Sequence, residues 1–179
     1  MKPTIQNVDL LLGIQPTEVA KYLQSHGWQK QSQIKEKASI WTLPANSEPE
    51  FEIVLPLKPE IPGFALRLYE VVQTLELVEN RSYFQILGDL VTQATNIHVQ
   101  GIITQLDKFG EAERVILMGC AVGKFRKIKF DLTAADYPFA VKAYQERLPV
   151  VCTGDLVKAN ELFVLKNIRN FALDESWKN

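Results

Sequence analysis

Ile97-His98-Val99-Gln100-Gly101-Ile102-Ile103-Thr104-Gln105-Leu106 is a short apolar run interrupted by a glycine. It opens the stretch, residues 97–169, whose order of elements decides the fold. A turn at residues 107–113 containing Gly110 leads to a second run at 114–122. Gly123-Lys124 then reverses the chain into Phe125-Arg126-Lys127-Ile128-Lys129-Phe130-Asp131-Leu132. Short runs rich in β-branched and aromatic residues, bounded by turn residues, read as strands. The third is the most informative. Strand side chains alternate between faces, so Arg126, Ile128, Phe130 and Leu132 share one face, and Phe125, Lys127, Lys129 and Asp131 the other. One face is core-like and the other basic.

Thr133 followed three residues later by Asp136 resembles a capping box, with Asp in place of Glu. Tyr137, Ala140, Val141, Tyr144 and Leu148 then recur at helical spacing, which predicts a helix over residues 134–147 with Pro138 in its early turns and Pro149 closing it. Two further strands are expected at 150–157, with Gly154 inside it, and at 162–168, joined by a turn at 158–161. The tail at 174–179 is expected to fray.

Upstream the pattern changes. Residues 8–14 form a short apolar patch, and Pro16 with Glu18 marks the first turn of a helix at residues 16–25 that Gly27 stops. Strands at 28–35, 38–43 and 51–55, the last after a turn at 44–49, read as an antiparallel meander. Trp28 and Trp41 lie on its hairpin arms as core or cross-strand partners, in preference to a ligand platform. From Gly63 the period is helical again through Phe64, Leu68, Val71, Val72, Leu75 and Val78. Asn80 or Arg81 breaks this helix, Ser82 caps another, and polar residues 92–96 read as a linker. The fold class is therefore α+β. An N-terminal antiparallel meander packed with helices (residues 1–95) precedes a five-stranded β-barrel with one helix between strands three and four (residues 96–179).

The order of elements, Gly101 and Gly154, and Val150-Val151-Cys152-Thr153-Gly154-Asp155-Leu156 turning into Leu162-Phe163-Val164-Leu165 together resemble the OB fold over about residues 97–170. The whole chain also resembles bacterial proteins in which a tryptophan-containing meander precedes a small β-domain. The OB resemblance implies a ligand face across strands two and three, flanked by the loops joining strands one to two and four to five. Carried onto this chain, it implies contacts from Arg114, Lys124, Phe125, Lys127, Lys129 and Lys158, with Phe109 and Phe163 as further aromatics. The implied ligand is single-stranded DNA or RNA, read without strong sequence specificity.

Other readings compete with this one. Lys124 to Lys129 holds four cations in six residues; these can track phosphates, or simply guard a solvated strand edge against unwanted pairing. Residues 1–97 carry 8 Lys and Arg against 11 Asp and Glu, and residues 98–179 carry 12 against 10. The second half is the more basic, but well short of a domain pI above about 9. A partner protein or a homodimer, met through the acidic first half or an exposed strand edge, is the alternative to nucleic acid.

Catalytic and metal signatures are sparse. His26 and His98 lack ligands at metal spacing, and His26 reads as a helix C-terminal cation. No serine sits in a nucleophile elbow, and Met118-Gly119-Cys120-Ala121-Val122-Gly123-Lys124 lacks phosphate-loop spacing. Glu48, Glu50 and Glu52 serve as well on a strand's outer face as in a carboxylate pair. Cys120 and Cys152 read as two buried free thiols. The expectation is a cytoplasmic, non-enzymatic protein with no cofactor and no membrane span.

Overall fold

A computed structural model describes residues 8–44 and 51–178. Most of the turn expected at 44–49, with Glu48 and Glu50, lies outside the described residues. The chain divides into two compact units, Met1–Thr92 and Gln93–Asn179.

In the first unit the apolar patch is itself helical, α1 (Val8–Leu12), with Leu11 and the following Ile14 fully buried. Helix α2 (Pro16–Ser25) starts on a proline that needs no N–H partner there. It ends in a Schellman motif: the Trp28 N–H donates to Leu23 O at 3.0 Å and the Gly27 N–H to Gln24 O at 3.3 Å, with Gly27 at φ 86°. Strands β1 (Gln29–Ile34), β2 (Ala38–Leu43) and β3 (Phe51–Pro56) form an antiparallel meander in that order. Trp28 and Trp41 are buried, and the Trp41 Nε1–H donates to Ser39 Oγ at 2.9 Å, which pairs two buried polar groups. Helix α3 (Phe64–Glu79) packs Leu68, Val71, Val72 and Leu75 into the same core. Asn80, in the left-handed conformation that Asn tolerates, ends it. Helix α4 (Tyr83–Leu90) opens on a full Ser82/Gln85 capping box.

The second unit is a five-stranded sheet whose hydrogen bonds form a closed ring, with one helix, α5 (Tyr137–Glu146). The strands are β4 (Gln93–Phe109), β5 (Ala112–Ala121), β6 (Lys124–Leu132), β7 (Pro149–Ala159) and β8 (Leu162–Leu173). The ring runs β4-β5-β6-β8-β7 and back to β4. All contacts are antiparallel except β6 with β8. Val99, Val115, Leu117, Ile128, Phe130, Cys152, Leu156 and Leu165 fill its interior.

Close approach between strands explains the glycines. Gly101 and Gly119 are partners across β4 and β5, and a Cβ on Gly101 would lie 2.5 Å from the Gly119 Cα. A Cβ on Gly154 would lie 2.7 Å from Lys166 O. The bulges of β4 fall elsewhere, between Ala94 and Ile97 and between Ile103 and Gln105.

Three boundaries differ from the sequence reading. Residues 93 and 94 are strand, paired with Val157 and Leu156, so most of the expected linker is the start of β4. Asp107 and Lys108 pair with Arg114 and Glu113, which leaves Gly110 and Glu111 as a tight turn where a seven-residue loop was expected. Thr133 does bond Asp136, the Asp136 N–H donating to Oγ1 at 3.3 Å, but this closes a turn ahead of α5. The helix begins at Tyr137, which puts Pro138 in the first turn, where proline is tolerated. Within the tail expected to fray, Glu175–Lys178 form a 3-10 turn.

Candidate nucleic-acid interface

Strand β6 has the two faces its alternation predicts. Ile128, Phe130 and Leu132 are buried. Arg126, on the same side but near the strand's start, is half-buried, with its guanidinium 4.5 Å from the centre of the Phe163 ring. Its Nε–H donates to Ala121 O at 2.9 Å, and burial draws its pKa below the usual guanidinium range. Phe163 is itself buried under this cation, so it offers no free face to a base. The side chain of Phe109 lies outside the described residues.

On the outer side Phe125 is 79% exposed, Lys127 is exposed and Lys129 half-buried. Register extends this face sideways. Phe125 stands opposite Cys120, Lys127 opposite Met118, Lys129 opposite Ile116, and Arg114 opposite Asp131. One strand further, Met118 is opposite Ile102. Met118 and Ile102 are 43% and 46% exposed, and with Phe125 they form an apolar strip bordered by Lys127 and Lys129. Neither lysine has an ion-pair partner within 4 Å among the described residues.

The other expected contacts are arranged differently. Arg114 shares the face, but its Nε lies 3.1 Å from Asp131 Oδ1, so its charge clasps β5 to β6. Lys124 begins β6 beside the Val122-Gly123 turn, opposite the buried Ala121 and so on the alternation phase of Arg126 and Ile128, not that of Phe125. Lys158 is exposed on β7, two strands from β6 in the ring, roughly 10 Å at sheet spacing. The turns flanking the face are two residues each, Gly110-Glu111 and Asn160-Glu161, and each carries a glutamate that disfavours phosphate. The platform is therefore strand surface, with little contribution from loops.

Ile102, Met118 and Cys120 escaped the sequence reading; Met118 and Cys120 fall on the outward phase of β5 once Arg114 is set outward, whereas Ile102 joins them only through the β4–β5 register. The same parity leaves Cys120 exposed where burial was expected, while Cys152 is buried and its thiol is pushed up to about 12 by desolvation. Tyr144, expected in the apolar stripe of α5, is 46% exposed, because the small Ala140 and Ala143 make the buried contact instead.

The histidines lie apart from this face. His26 caps α2, stacked on Tyr22 at 3.9 Å with Nδ1 2.8 Å from Tyr22 O, and His98 is exposed on β4. Among the described residues no group of three His, Cys, Asp or Glu side chains could hold a metal ion, and no helix is long and apolar enough to cross a membrane. Comparison with protein-family models and with curated proteins finds no match to this chain.

Proposed function

We propose that the second unit is an OB-like barrel that binds single-stranded nucleic acid non-enzymatically, and without strong sequence preference, through the outer face of β5 and β6. The strand order one-two-three-five-four, with a helix between three and four, supports the OB-like reading. The observation that carries the binding reading is Phe125, 79% exposed on a strand that presents two unpaired lysines beside it. Leaving a phenyl ring in water has a cost that base stacking removes, since every base offers a π-face. Met118 and Ile102 extend the apolar floor, and Lys127 and Lys129 meet the backbone phosphates.

Fluorescence anisotropy with labelled dT and rU oligonucleotides tests this. F125A is expected to weaken binding by between about fivefold and about 150-fold, the value of one stacked base. Equal affinity for wild type and F125A refutes the stacking role.

The bare Ile102 and Met118 favour a second reading, a protein-interaction or homodimer surface. Light scattering separates the two. A dimer that M118E dissociates, with no oligonucleotide binding, supports the second.

A further inference from the structure

The ring of strands is weakest where β6 meets β8. Their parallel pairing covers only Ile128 with Phe163 and Lys129 with Val164, yet β6 continues to Leu132 and β8 to Leu173. Beyond Lys129 the two strands part, and a groove of about 440 Å³ opens between residues 129–133 of β6 and its end and residues 164–168 of β8. Alternate residues of β6 turn their N–H and C=O away from β5, into this groove, where no strand among the described residues pairs with them. An unpaired strand edge is a template for another extended chain.

The charges at the groove select the occupant. Asp131 is compensated by Arg114 at 3.1 Å, and Asp136 accepts a hydrogen bond from Thr133 Oγ1 at 3.1 Å. A hydroxyl cancels no charge, so Asp136 stays negative, while Lys129 and Lys166 have no ion-pair partner within 4 Å among the described residues; with Asp131 offset by Arg114, the lining carries one net positive charge. We propose that this seam accepts an extended acidic peptide segment of a partner protein, which adds as a short strand along β6 and sets carboxylates against Lys129 and Lys166. A peptide backbone offers donors and acceptors alternately, as the edge requires. Phosphodiesters offer acceptors only.

The test is an amide NMR titration of the full chain with three capped hexapeptides: alternating Glu-Val, alternating Lys-Val, and a Glu-Val version N-methylated at every second residue. An oligo-dT is titrated in parallel. The expected result is that only Glu-Val shifts the amides of residues 130–132 and 165–168, and that K166E weakens it by about two- to fivefold while leaving the other amides in place. Absence of those shifts at millimolar Glu-Val, or equal shifts with the Lys-Val or N-methylated peptides, overturns the proposal. Stronger shifts of the same amides by oligo-dT assign the seam to nucleic acid and overturn it too. F125A leaves Glu-Val binding unchanged, so failure here is distinguishable from failure of the nucleic-acid reading.

Discussion

Asp155 shows how single residues hold the irregular side of the closed sheet. Its carboxylate accepts from Asn167 Nδ2 at 2.7 Å and from the Asn96 N–H at 2.8 Å, with Arg169 at 3.8 Å. Asn96 and Asn167 both sit at positive φ beside bulges, so one carboxylate gathers three strands where their ladders are broken. The Asn167 hydrogen bond first, and then that from Asn96, hold the Asp155 carboxyl below the usual carboxylate range. A depressed folded-state pKa gives stability that is present above the unfolded value, about 3.9, and is lost as pH falls through the folded value. D155N is therefore expected to unfold at lower urea than wild type at pH 7, with the gap closing as pH falls below about 4 and through the depressed folded-state value. A gap that stays constant over that range contradicts the assignment.

At the scale of elements, turns and glycine contacts carry the testable consequences. The β5–β6 turn places Val122 at φ 50° and Gly123 at φ 68°, a geometry suited to Asn-Gly and poorly tolerated by a β-branched residue. V122N is expected to raise stability by about 1 kcal/mol, read as a higher urea midpoint with an unchanged slope. In the opposite direction, G101A forces a methyl group against Leu117 and the backbone of β5. It is expected to cost about 2 kcal/mol or more, and a neutral result would show that the strands can separate there at little cost.

Legibility followed the range of the interactions. Helix α2 could be read to the residue because Pro16 and Gly27 fix both ends locally, and β2 because its run of β-branched and aromatic residues is bounded by polar residues on one side and Pro44 on the other. Gln93 and Ala94 read as linker because their partners lie some sixty residues away on β7. Asp107 and Lys108 read as loop because they are polar, yet the long hairpin pairs them regardless.

Across the whole molecule the net charge is only −1, so affinity for any polyanion must come from local arrangement and not from the overall field. The candidate face was partly legible. Phe125, Lys127 and Lys129 follow from parity along one strand, whereas the neutralisation of Arg114, the covering of Phe163 by Arg126 and the joining of Ile102 to Met118 depend on which strands are neighbours. Among the described residues that face carries Phe125 and two cations without an ion-pair partner, Lys127 and Lys129, so the proposed binding is expected to show a modest affinity and a shallow salt dependence. The most direct test is the slope of log Kd against log salt for a dT oligonucleotide, measured on wild type and on K127Q/K129Q. The double variant is expected to lower the slope by about 1.4, the contribution of two single-strand phosphate contacts. An unchanged slope, or a wild type with no salt-dependent binding at all, contradicts it.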